Sequence, residues 1–63
     1  MTAAELQARA DWLLTLQARL GRLRRIRVEF GIELNQIGTD MLNAAIRATE
    51  REVEEAQYEV AKS

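Results

Sequence analysis

Apolar residues recur three or four positions apart along most of this chain, and no proline interrupts them. In the first half they form a heptad seam, in which Arg9 and Arg27 take the two charged positions. Such a seam is typical of α-helices that pack against other helices. The spacing therefore predicts an all-α fold. The apolar seam positions are Leu6, Leu13, Leu16, Leu20, Leu23, Phe30, Leu34, Ile37 and Met41.

Capping signals divide the chain into two helices. Thr2 followed by Glu5 is a capping box, which predicts that a helix starts at about residue 3. Gly38 suits the position just past a helix end, and Thr39 or Asp40 suits the N-cap of a second helix. The apolar stripe also shifts by one residue there, which a turn accommodates more easily than a continuous rod, the alternative. The predicted bounds are a long helix over about 3–37, a turn at 38–39 and a helix over about 40–62.

The two halves of the chain carry opposite charge. Residues 1–31 hold six arginines against three acids, a net charge of +3, and residues 32–63 hold three basic residues against seven acids, a net charge of −4. Folding the chain back at Gly38 brings these halves together as an antiparallel hairpin. Exposed ion pairs contribute only about 0–1 kcal/mol each, so their role would be orientation. The pairs expected from this fold are Arg27–Glu50, Arg25–Glu52 and Arg22–Glu55.

Small size favours assembly with another chain. Sixty-three residues support a thin core, and the chain has no cysteine and no histidine to form a disulfide or a zinc site. A turn at Gly38 would also leave residues 1–13 unpaired. We therefore predict one helical-hairpin domain over residues 1–63 that packs as a homo-oligomeric bundle or coiled coil, or binds a larger partner. The predicted interface residues are Leu6, Trp12, Leu13, Leu14, Leu16, Leu20, Leu23, Arg27 and Phe30.

The residue types needed for catalysis are scarce. Ser63 and Lys62 are the single serine and lysine, and there is no histidine to act as a base. No glycine-rich phosphate loop occurs. The five glutamates between Glu50 and Glu59 lie around an exposed helical arc with Arg47 and Arg51 at i+3 and i+4 spacing, as on a solvated, ion-paired face. The sequence therefore predicts a protein that is not an enzyme and has no cofactor or metal site.

Five arginines lie within nine residues, between Arg19 and Arg27. Guanidinium groups bind phosphate well, so Arg19, Arg22, Arg24 and Arg25 are candidate nucleic-acid contacts. On a helix, however, they point nearly all round, and the sequence pI is 5.3. The leading hypothesis is a non-catalytic protein interaction or assembly module, such as a small accessory, scaffold or inhibitor protein. A nucleic-acid-binding helical bundle is the alternative.

The sequence also bears on location. It has no apolar run long enough to span a bilayer, and its first residues lack the basic start and apolar core of a signal peptide. We therefore expect a cytoplasmic protein without a membrane partner.

Overall fold

A computed structural model describes residues 2–62 and shows two α-helices packed against each other. Helix α1 spans Ala3–Phe30 and helix α2 spans Gln36–Lys62. The hairpin measures 47 × 15 × 12 Å. The predicted all-α hairpin is confirmed. Met1 and Ser63, which end the predicted domain, lie outside the described residues.

Helix α1 begins where its capping signal predicts. The Thr2 hydroxyl accepts a hydrogen bond from the backbone amide of Glu5 at 3.1 Å. Thr2 itself has extended backbone geometry, as an N-cap residue should. The predicted start at residue 3 is therefore confirmed.

The turn lies at residues 31–35, and the predicted turn at 38–39 is wrong. The carbonyl of Phe30 accepts from the amides of Glu33 at 3.0 Å and Leu34 at 3.2 Å, which ends α1 with a tightened turn. Gly31, at the C-cap, keeps right-handed helical geometry. Because the described residues need no left-handed glycine here, Gly38 is not required to end the helix.

Asn35 takes the capping role predicted for Thr39 or Asp40. Its side-chain oxygen accepts from the amide of Gly38 at 2.7 Å, and its backbone carbonyl accepts from the amide of Thr39 at 2.9 Å. Asparagine caps helices as well as aspartate does. Gly38 therefore lies in the first turn of α2, where a β-carbon would approach Asn35 Oδ1 to 3.3 Å.

We expect Asn35→Ala to lower the free energy of unfolding by about 0.5–2 kcal/mol, because the amides of the first turn of α2 lose their capping acceptor. Urea unfolding followed by circular dichroism measures this change. Asn35→Asp is the matched control and should stay close to wild type, since aspartate keeps the acceptor. Equal losses in the two variants would contradict the capping role.

The earlier turn makes the two arms nearly equal in length, with 28 residues in α1 and 27 in α2. Residues 1–13 were expected to face nothing, but Arg9 pairs with Glu59 at 3.6 Å. The register of charges shifts accordingly, so that Glu50 pairs with Arg24 at 3.1 Å instead of Arg27. Arg27 donates instead to the side-chain oxygen of Asn43 at 3.3 Å.

The core between the helices is small. Its buried apolar residues are Leu16, Leu20, Ile46, Val53 and Ala56, with Leu13, Leu23 and Leu42 partly buried around them. Thr49 is also buried, and its hydroxyl donates to the carbonyl of Ala45 at 2.8 Å. Most apolar residues of α2 form one stripe toward this core, apart from the exposed Ile37, Met41 and Tyr58, whereas those of α1 are spread round the helix.

Candidate protein interaction face

One side of the hairpin carries large apolar side chains that neither helix covers. On α1, Trp12, Ile26 and Phe30 are all 41–49% exposed. Ile26 lies two heptads after Trp12, and Phe30 follows one turn later. This spacing places the three side chains along the same side of the helix.

Helix α2 contributes to the same side. Trp12 lines a groove of about 560 Å³ together with Glu52, Glu55 and Glu59 of α2. Met41 lies three helical turns before Glu52 and is largely exposed, so it extends this side of α2 toward the turn. Between Met41 and Glu52, the residues on this side of α2 are the small Ala45 and Ala48. We call this surface the Trp12 face, which comprises Trp12, Ile26, Phe30, Met41, Ala45, Ala48, Glu52, Glu55 and Glu59.

The opposite side of the hairpin is bridged by polar groups. Arg24 donates to Glu50, and Arg27 donates to Asn43. Glu50 and Asn43 are each about half a turn out of phase with Met41 on α2, which sets them away from the Trp12 face. Near the turn the hairpin is therefore two-sided, with the Arg24 and Arg27 bridges across one side and apolar groups exposed on the other, whereas at the open end the Arg9–Glu59 pair lies beside Trp12.

The structure divides the predicted interface residues into two groups. Leu16 and Leu20 are buried against α2, with Leu13 and Leu23 partly buried beside them, so these four pack within the chain. Leu6, Trp12, Leu14 and Phe30 stay exposed, as does Arg27, which bonds to Asn43. A heptad seam indicates that a helix has a partner, but it does not distinguish a partner helix in the same chain from one in another.

The predicted interface leaves out Ile26, Ile37 and Met41, and the structure shows that all three side chains are exposed. Ile26 falls between seam positions, so the heptad pattern gave it no role. Ile37 was placed in the first helix because the turn was predicted too late, and Met41 was counted in the first apolar seam although it follows that predicted turn. In the structure both belong to the exposed start of α2. The exposed isoleucine at 26 could have been found from its two-heptad distance to Trp12.

The arginines between 19 and 27 are not gathered into one surface. The Arg19 guanidinium lies over the Trp12 ring, 5.8 Å from its centroid, which is within the range of a cation–π interaction. Arg24 is held by Glu50, and Arg27 by Asn43. Arg22 and Arg25 are exposed, and neither forms an ion pair within residues 2–62.

Other kinds of site find little support in the described part of the chain. Between residues 2 and 62, no group of three or more acidic side chains is placed to hold a metal ion. Neither α1 nor α2 contains a stretch with the length and apolarity needed to cross a membrane. Comparison of the chain with protein-family models, curated proteins and solved structures gives no match.

Proposed function

We propose that this protein is a non-catalytic assembly module that acts by packing the Trp12 face against another helical surface. The observation that carries the proposal is the mismatch between its core and its exposed apolar groups. Five apolar residues are buried among those described, while Trp12, Ile26, Phe30 and Met41 remain in solvent. The accessible surface is 4860 Å², whereas a compact monomer of this mass has about 4,100 Å².

The energetics favour a covered face. Fully burying an exposed large apolar side chain contributes about 1.5–3 kcal/mol, and the apolar side chains of the Trp12 face, which are 41–69% exposed, would each gain about half of that. A small hairpin without disulfides or metal has little stability to spare, so this contribution is a large part of its total. The apolar residues of α1 are spread round the helix, so α2 alone covers only some of them. A small accessory, scaffold or inhibitor protein would use the face in this way.

The test is the molar mass of the full chain by light scattering, with helicity measured by circular dichroism, over a wide range of concentration. We expect mass and helicity to rise together, because packing of the Trp12 face stabilises the helices. A monomer that is fully helical and unfolds cooperatively at every concentration would contradict the proposal.

Arg22 and Arg25 support a second candidate function, nucleic-acid binding, because both are exposed and have no acidic partner among the described residues. Against it, Arg24 and Arg27 are held within the chain, and the net charge is −1. We expect no binding of a labelled duplex or single strand at physiological salt. Binding that weakens steeply with salt and is lost in the double variant Arg22→Gln and Arg25→Gln would favour this function instead.

A further inference from the structure

We propose that the partner of the Trp12 face is a second copy of this chain in antiparallel orientation, with the turn of each copy beside the open end of the other. This inference rests on the proposed assembly function and adds the identity and direction of the partner. A two-fold symmetric pair uses the same surface on both copies, so the Trp12 face must be complementary to itself when reversed. Charge, shape and area each support that arrangement.

Charge is divided along the hairpin as well as between its helices. The half near the turn, residues 17–51, holds seven basic residues against four acids, a net charge of +3. The open half, residues 2–16 with 52–62, holds two basic residues against six acids, a net charge of −4. Antiparallel packing sets the basic half of each copy against the acidic half of the other. Parallel packing would oppose like charges at both ends.

The open half of the Trp12 face presents more acidic than basic groups to a second copy. Its groove is lined by Trp12, Tyr58 and Ala56, by Arg9, and by the four glutamates Glu52, Glu54, Glu55 and Glu59, of which Glu59 pairs with Arg9 at 3.6 Å. Carboxylates bind guanidinium groups through charge-assisted hydrogen bonds, and an indole face attracts cations. Arg19 already lies over the Trp12 ring within one chain, which shows that this ring accommodates a guanidinium group.

Side-chain size on the Trp12 face also differs between the two ends of the hairpin, and this difference favours antiparallel packing. Large apolar groups stand near the turn, where Phe30 and Ile26 project from α1. Near the open end, the residues one and two turns before Trp12 on the same side of α1 are Ala8 and Ala4, which are small and exposed. Antiparallel packing places the large groups of one copy over the alanines of the other. Parallel packing would set the large groups near the two turns, Phe30 and Met41, against each other.

The available area is sufficient for a stable pair. A face of 47 by 15 Å spans roughly 700 Å² on each copy, and a standard interface buries about 800 Å² per partner. Two copies packed in this way form a four-helix bundle, in which the exposed apolar side chains of α1 gain a second helix to pack against.

The orientation can be measured with one spin label per chain, because the chain has no cysteine of its own. Ile32 lies in the turn and is fully exposed, so Ile32→Cys carries a nitroxide without disturbing the core. In an antiparallel pair the two labels stand near opposite ends, and pulsed dipolar spectroscopy should give a distance close to the 47 Å length of the hairpin. A parallel pair would bring them to about the 12–15 Å thickness of one hairpin.

Ala18→Cys, labelled near the middle of α1, is the matched control, because its label-to-label distance is short in either orientation. A long distance at Ile32 with a short one at Ala18 supports the proposal. A short distance at Ile32 overturns the orientation and leaves the assembly function standing. A monomeric mass with no coupling at either position overturns the second copy; if that monomer is also fully helical, the assembly function fails with it.

Salt gives an independent check, since the opposed charges attract. We expect the dissociation constant of the pair to rise severalfold between low and high ionic strength, as screening weakens the attraction. Control measurements at fixed osmotic strength, with sucrose in place of salt, should show no such rise. A dissociation constant that stays level or falls with added salt overturns the antiparallel arrangement. In a parallel pair, like charges face each other, so salt would screen their repulsion and strengthen the pair.

Discussion

Leu16→Ala is expected to lower the free energy of unfolding by about 2–5 kcal/mol, the range for truncating a buried leucine. Leu16 is fully buried, with 0% exposure, and packs in a cluster that contains only five buried apolar residues among those described. Removing its side chain takes away the apolar contact and leaves a cavity that two helices alone cannot close. In so small a domain this loss is enough to reduce the helical content at room temperature.

The measurement is urea or thermal unfolding followed by circular dichroism. Leu14→Ala is the matched control, because Leu14 lies two residues away on the same helix and is 64% exposed. Its effect should stay within about 0.5 kcal/mol, as for most surface substitutions. If both variants lost the same stability, Leu16 would not be the centre of the core.

The second large effect is expected on assembly. Ile26→Glu should raise the dissociation constant of the self-associated protein roughly ten- to fiftyfold. Ile26 is 41% exposed, so each copy loses about two fifths of the 1.5–3 kcal/mol for full burial, a symmetric pair loses it twice, and each 1.4 kcal/mol is a factor of ten. The new carboxylate would also be desolvated without a fixed partner, which adds to the loss.

Val28→Glu is the control for that experiment. Val28 lies two residues from Ile26 on α1, but it is 82% exposed and is out of phase with the Trp12 face. The substitution adds the same charge to the same basic segment, so differences between the variants report on position alone. Light scattering across concentration gives the masses. Equal masses and equal helicity for the two variants at every concentration would remove Ile26 from the interface.

The start of the fold could be predicted from sequence because its signals are local. Thr2 and Glu5 need only three residues to form a cap, and Leu16 and Leu20 lie on an apolar seam that any helical partner would bury. The turn was misplaced because two signals compete within four residues. A glycine at 38 is a strong helix-end signal, yet the side chain of Asn35 caps the next helix first and draws Gly38 into its opening turn.

The interaction face was predicted only in part. Trp12 and Phe30 were expected to be interface residues and are exposed, but the reason given for Trp12, an unpaired first arm, was wrong. Helical periodicity gives the direction of a side chain around its own axis. It does not give the register between two helices, and that register determines which apolar side chains the partner helix reaches.

The uneven charge along the hairpin has a consequence for the approach of two molecules before they touch. Net charges of −4 and +3 in the two halves give each molecule a large electric dipole moment along its 47 Å axis. Two such dipoles attract when they lie side by side and point in opposite directions. At low ionic strength, where the Debye length exceeds about 10 Å, colliding copies would therefore be turned into an antiparallel encounter and associate faster than neutral hairpins of the same shape.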